Sequence, residues 1–326
     1  MSIGTVSMAL NDRDGISDFT RRRILDTARS LGYERPTNRN PVSASIVSVV
    51  IERLPVTPTS DPFNKPILAG FERVARQAGY RMALEFVGPG DEPEVGRWAR
   101  NTTAGLVILG GGDLSPDWGQ AAAESDVPVV MVDHFVPGLA LPTVVPDNIC
   151  GAYSATRHLL EAGHRRIGFI RGPSKYWTLS ERMAGYLLAM QQSGGTIDPD
   201  LISPRISHGE EKGYGEMGRL LALREPPTAV FAVSDKTAIG AYRAVMEHGL
   251  SIPDDISIVG FDDIGEACSL NPPLTTVQVP GETMGSMALH RLLSFIEDGE
   301  PRNFVPLKWV VPTQLIERGS VRDPVR

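Results

Sequence analysis

The sequence predicts an α/β protein built as two doubly wound parallel-sheet lobes behind a small, partial helical head. Three observations carry that expectation. From residue 46 onward, short apolar runs rich in β-branched residues alternate with amphipathic stretches, each of which ends at a glycine. About eight such runs occur, four on either side of Asp147, which suits two similar lobes better than one very wide sheet. Residues 1–45 differ in kind, being helical in pattern and then rich in proline and polar residues.

Taken in order, "SIGTVSMALN" (2–11) has the pattern of a short helix, and "NDRDG" is a polar turn after it. In "SDFTRRRILDTARSLGY" Ser17 is an N-cap candidate, Ile24, Leu25, Ala28 and Leu31 share one helical face, and Gly32 can close the helix. "ERPTNRNPVSAS" (34–45) has the composition of a linker. The expected strands are "IVSVVI" (46–51), "YRMALEF" (80–86), "GLVIL" (105–109), "PVVMV" (128–132), "RIGFI", "LISPRIS", "TAVFAV" and "ISIVGF". Between them, "ILAGFERVARQAG", "YSATRHLLEAG", "ERMAGYLLAMQQSG" and "KTAIGAYRAVMEHG" space apolar residues three and four apart and stop at Gly. The boundaries expected are a head over 1–33, a linker over 34–45 and a two-lobed body over 46–326. The amino-terminal lobe takes about 46–146 and 278–304, the carboxy-terminal lobe about 147–277 and 305–320.

Composition narrows the function classes. The 326 residues carry a net charge of −7, yet residues 1–45 hold seven Arg against five acids, so a polyanion would meet the head and not the acidic body. Cys150 and Cys268 stand far apart without CxxC or Cys/His spacing, which indicates neither a disulfide framework nor a zinc site. With no charged leader and no apolar run near the roughly 18 residues of a membrane span, a cytoplasmic protein is expected. Catalytic patterns are wanting: no GxGxxG with a following acid, GxxxxGK[ST], GxSxG or HExxH occurs, and "GGGD" (110–113) is expected to be a cleft loop. No cofactor, metal or enzymatic activity is expected.

The chain resembles the lactose/galactose repressor (LacI/GalR) family of bacterial transcription regulators over nearly its whole length. "GTVSMALN…GISDFTRRRILDTARSLGY", "DPFNKPILAGFERVARQAGY", "DNICGAYSATRHLLEAGHRRIGFIRGP", "ERMAGY", "PTAVFAVSDKTAIGAYRAVMEHGLSIPDDISIVGFDD" and "PPLTTV" stand in that family's order and spacing. The resemblance implies a type I periplasmic-binding-protein-like body around a small-molecule cleft, a homodimer, and a helix-turn-helix head that binds operator DNA. It begins within the family's turn, so the head is expected to hold the recognition helix and third helix without their supporting first helix, and operator binding is expected to be weak. The linker also lacks the Leu with which the family's hinge helix wedges the minor groove. On the recognition helix Thr5 and Ser7 suit phosphates, while by similarity Ile3, Gly4 and Met8 face bases, and Asn11 at its end is grouped with them.

The ligand cleft is expected beyond the carboxyl ends of the strands. Asp133 directly follows "PVVMV" and Asp262 directly follows "SIVGF"; Asp147 lies at the crossing between lobes, and Ser234 and Asp235 follow "TAVFAV". Carboxylates there accept paired hydroxyls, and an aromatic ring covers the apolar face of a sugar. Asp61 and Phe63 in "DPFN", Trp177 beside Tyr176, and His208 after "LISPRIS" complete the set, with Arg182 placed by the resemblance. Each strand-end Asp has an ordinary competing role as a helix cap, and His208 as a satisfied loop residue. Asp133 and Asp262 would also suit a glycosidase pair, but binding proteins carry the same carboxylates without hydrolysis. The expected function is a ligand-responsive repressor with a sugar or sugar-derivative effector; the alternative is a two-lobed binding protein without DNA-binding activity.

Overall fold

A computed structural model describes residues 46–52, 61–88, 91, 103–110, 116–125, 127–136, 138–139, 141–173, 176–195, 197–204, 209–298 and 307–322, with Ser17, Thr20, Arg23, Ile24 and Thr27 of the head. The chain divides into two compact units, Met1–Ala44 and Ser45–Arg326. In the first unit, the Ser17 hydroxyl accepts the Thr20 amide at 3.3 Å, the geometry of an N-cap, and Ile24 is buried. The expected DNA contacts Ile3, Gly4, Thr5, Ser7, Met8 and Asn11 lie outside the described residues.

The body's larger sheet is wholly parallel. It consists of β1 (Ile46–Glu52), β2 (Arg81–Val87), β3 (Thr103–Leu109), β4 (Val129–Val132), β5 (Thr143–Pro146) and β10 (Lys308–Val311), in the spatial order β10-β5-β4-β3-β1-β2. Strands buried on both faces need continuous apolar runs, and the lone β-branched or Leu-rich stretches supply them: Val47, Val49, Leu106, Val107, Val130 and Val132 are all inaccessible to solvent. Among the described residues, two helices join these strands, α1 (Asn64–Gln77) and α2 (Pro116–Glu124).

The second lobe has the smaller sheet. Strands β6 (Ile167–Ile170), β7 (Ala229–Ala232) and β8 (Ser257–Val259) form a parallel sheet with α3 (Asn148–Glu161), α4 (Trp177–Gln192), α5 (Glu210–Leu221) and α6 (Asp235–Glu247) around it. Strand β9 (Thr276–Gln278) pairs antiparallel with β11 (Gln314–Ile316), and α7 (Gly281–Asp298) returns the chain to the first lobe, packing on α1.

Two expectations change. Among its described residues (201–204), "LISPRIS" contributes the end of a 3-10 turn at Pro199–Leu201 and a single bridge from Ile202 to Phe169, and Pro204 follows two residues later without an amide hydrogen for a ladder. The segment 305–320 does not belong to the carboxy-terminal lobe alone: Lys308–Val311 pairs in parallel with Thr143–Pro146, so the last crossover falls after Val311. Its exposed Lys308 and Val310 gave it the alternation of an edge strand and not the unbroken apolar run used to find the others.

Candidate functional site

In the larger sheet, β1 sits between β2 and β3, so the chain leaves it in opposite directions on either side. Ligands in such sheets bind at that reversal, beyond the carboxyl ends of the strands. A cleft of about 170 Å³ occupies this place, lined by Ile51 at the end of β1, Leu109 and Gly110 at the end of β3, and Asp133 at the end of β4. The second lobe closes it with Arg182 from α4, Ser234 ahead of α6, and Asp262 and Ile264 beyond β8.

The backbone is strained at this rim. Among the described residues, Asp133 (φ 56°), Asp262 (φ 117°) and Asp263 (φ 58°) are the non-glycine residues with positive φ. Such conformations cost of order 1–3 kcal/mol each and gather where a side chain must be aimed at a ligand. Asp133 and Asp262 line the cleft from these positions, while Asp263 accepts from Arg318 and Gln278.

Arg182 is the best-anchored group. It lies on the inward face of α4 with Thr178, Gly185, Tyr186 and Ala189, and only 2 % of it is exposed. Its Nε donates to Asn148 Oδ1 at 2.9 Å, its Nη1 donates to the Val233 carbonyl at 2.8 Å, and its guanidinium lies 3.8 Å from the Phe261 ring centre. Nη1 is also 2.9 Å from Asp262 Oδ1, and as an NH2 group it carries a second hydrogen beside the one given to Val233, so the Arg182–Asp262 ion pair is reinforced by a side-chain hydrogen bond.

Asp133 is more isolated. Its Oδ1 is shut off from solvent and accepts no hydrogen bond, although other parts of the residue remain accessible. Burial raises its pKa to about 7, against the pull of Arg182 and with a further push from Asp262 and Glu181. Burial likewise raises Asp262, opposed by Arg182. Next to Asp133, burial lowers the pKa of His134 to about 4, so this imidazole brings no charge to the rim near neutral pH. Asp61 accepts the Phe63 and Asn64 amides on Oδ1, each at 3.0 Å, and its Oδ2 pairs with Lys236 across the cleft.

Asp61, Phe63, Asp133, Arg182, Ser234 and Asp262 thus converge on one cleft. Three expected residues do not line it. Asp147 caps α3, accepting the Cys150 amide at 3.0 Å. Asp235 is fully buried, accepting Thr276 Oγ1 at 2.5 Å and the Ile264 amide at 2.9 Å, which ties α6 to the β8–β9 region. Trp177 is 44 % exposed and packs on Phe135, with ring centres 5.8 Å apart, while its neighbour Tyr176 lines the cleft instead. His208 lies outside the described residues. Ser234 lines the cleft but also caps α6 through the Thr237 amide. Lys236 and Thr178 were not anticipated; both lie one helical turn or less from an anticipated cap or ligand residue, the one signal available for them.

Residues 156–321 match the periplasmic binding protein-like domain family. The chain is 34 % identical over 326 residues to the HTH-type transcriptional repressor CytR of Escherichia coli K12, covering 99 % of this chain and 93 % of the relative. Among solved structures, the transcriptional regulator CelR–cellobiose complex superposes with a TM-score of 0.75 at 29 % identity over 98 % of this chain and 96 % of its own. The lac repressor dimer bound to operator and an anti-inducer shares the fold with a TM-score of 0.73 at 22 % identity, over 98 % and 95 % of the two chains. The two parallel-sheet lobes, the cleft at their reversal points and these likenesses over nearly the full chain establish that the protein belongs to the LacI/GalR family of transcriptional regulators.

Proposed function

We propose that the chain is a ligand-responsive DNA-binding repressor whose effector, a sugar or sugar derivative, binds between the lobes and alters operator affinity. One observation carries the effector class. Among the described residues, Asp133 Oδ1 is a buried carboxylate oxygen with neither a hydrogen-bond nor an ion-pair partner, and its residue lines the cleft beside Asp262 and Arg182. Buried acceptors left without donors are costly, and hydroxyl groups of a polyol supply what they lack. Phe63 and Tyr176 offer apolar ring faces beside them. The cellobiose in the CelR structure supports the same class.

In this reading Arg182 and Asp262 orient the ligand, Asp133 accepts its hydroxyls, and Asp61, Phe63 and Ser234 complete the contacts. Effector shifts the lobe arrangement to the extent that it binds one arrangement better than the other. The chain acts as a homodimer on a two-fold operator, as the lac repressor dimer does, with the recognition-helix residues Ile3, Gly4, Thr5, Ser7, Met8 and Asn11 at the DNA. Light scattering is then expected to give a mass near twice the 35.3 kDa of the chain.

Titration calorimetry against a panel of mono- and disaccharides, repeated with Asp262→Asn, tests the effector site. A sugar that binds wild type is expected to lose about 2–4 kcal/mol in the variant, the cost of a charged hydrogen bond removed from a buried site. Equal binding by both proteins would overturn the cleft assignment. Selection of bound duplexes from a random pool, with and without that sugar, tests the regulatory half; recovery of no enriched sequence would leave a binding protein without operator recognition.

A further inference from the structure

A second space of about 280 Å³ adjoins the cleft. Phe63 and Asp262 line both spaces, so the two meet at this pair. Beyond it, the walls are Pro62 and Pro66 at the start of α1, Val279 and Pro280 in the crossover, and the first turn of α7 at Gly281–Thr283. Gly281 contributes no side chain here, and its would-be Cβ lies only 3.0 Å from Pro66, so the opening of α7 stays flush with α1.

The chemistry of this space is specific. Three prolines, Phe63 and Val279 form apolar surfaces that suit the CH face of a ring, while Asp263, Gln278, Glu282 and Thr283 provide polar edges. Its charged lining is acidic: Asp262, Asp263 and Glu282. The cations beside these groups are already engaged, Arg318 with Asp263 at 2.6 Å, Arg73 with Glu282 at 3.1 Å and Arg182 with Asp262. A phosphate or carboxylate placed there would face three carboxylates without a free counter-charge, and the partial positive charge at the start of α7 is offset by Glu282 in its own first turn.

Resting on the reading of the cleft as a sugar site, we propose that the effector is a neutral two-ring glycoside that spans both spaces. Its first ring is held by Arg182 and Asp133 in the cleft, and its second ring lies on Pro62, Pro66 and Pro280 at the opening of α7. Asp262, which lines both spaces, takes hydroxyls flanking the glycosidic link.

The test compares D-glucose, D-ribose and glucose 6-phosphate with cellobiose, maltose, lactose and sucrose, by calorimetry on wild type and Thr283→Trp. Thr283 is exposed on the first turn of α7, so the indole narrows the second space without entering the core. A disaccharide is expected to bind wild type at least about tenfold more tightly than any monosaccharide, a gap of about 1.4 kcal/mol. Thr283→Trp should erase that advantage while leaving weak monosaccharide binding and the melting temperature as they were. Tight binding of a monosaccharide or of the phosphate, insensitive to Thr283→Trp, would overturn the two-ring effector and leave the sugar-binding cleft standing. Binding of none of these compounds would overturn both.

Discussion

Asp133 is the clearest case of a single residue tuned by its surroundings. Its carboxyl has a pKa near 7 in the folded protein against 3.8 for the free side chain, so between those values the folded state holds a proton that the unfolded state has released. Unfolding is then favoured as pH rises from about 4 to 7, and the difference levels off above. Asp133→Asn removes this dependence. Relative to the variant, ligand-free wild type is expected to lose roughly 2–4 kcal/mol of stability over that interval, measurable by urea denaturation at pH 4.5 and 7.5. Parallel curves for the two proteins would show that Asp133 is solvated. Asp235, the same residue type in a similar sequence position, is also raised by burial but has hydrogen-bond partners for its carboxylate. It has two donors and no access to the cleft, so Asp235→Ala should cost about 2–4 kcal/mol of stability, seen in the same titration.

At the scale of elements, the helices meet in pairs that approach through glycine. A Cβ on Gly240 of α6 would sit 1.9 Å from the Glu210 carbonyl of α5, one on Gly213 of α5 the same 1.9 Å from Thr237 O, and one on Gly185 of α4 2.3 Å from Ile149 O of α3. Such contacts fix the depth at which Ser234, Lys236 and Arg182 are delivered to the cleft. Gly240→Ala must push α5 and α6 apart, for an expected loss of about 2–4 kcal/mol. Gly215→Ala, on α5 with open space around it, is expected to be neutral or to stabilise by about 0.5–1 kcal/mol, since alanine only relieves the helix of glycine's freedom. Thermal melts of the two variants side by side check this; equal effects would mean that helix propensity alone was at work. The sequence pattern had placed Gly240 inside an expected helix, "KTAIGAYRAVMEHG", and had named no helix over Gly215.

At the scale of the whole body, the lobes are linked by side chains as well as by the three crossovers. Lys236 of the second lobe pairs with the buried Asp61 of the first. Lys308 of β10 pairs with Glu181 of α4 at 2.8 Å and lies 3.7 Å from the Phe135 ring, which in turn packs on Trp177. These contacts hold the lobes in the arrangement seen here. Replacing both lysines, Lys236→Met with Lys308→Met, is expected to raise the radius of gyration in small-angle scattering without sugar, to restore it on saturation with sugar, and to weaken sugar binding roughly five- to tenfold. An unchanged scattering curve would show that the crossovers alone set the lobe angle.

The alternation of apolar runs and Gly-terminated helices was enough to determine the fold class, because burial on both faces of a parallel sheet demands unbroken apolar strands and leaves that demand written locally. Gly79, Gly163, Gly194 and Gly249 take the positive φ that their expected role as helix stops requires. Strand ends were equally legible, and so Asp133 and Asp262 could be named as cleft residues. What one strand end does with its carboxylate was not. Asp147, Asp235 and Asp262 all follow or precede an apolar run, and only the three-dimensional arrangement decides that the first caps a helix, the second clamps Thr276 and the third lines the cleft. The Asp147 cap is local, three residues from its donor, but Asp235 depends on donors 29 and 41 residues away and Asp61 pairs with Lys236 across 175 residues. Strand β10 was hidden for a related reason, since an edge strand with one wet face carries half the apolar signal. Local pattern reports how much of a segment is buried; the partner that each polar group finds is decided by the tertiary structure, because hydrogen bonds and ion pairs form across space between segments whose sequences carry no record of one another.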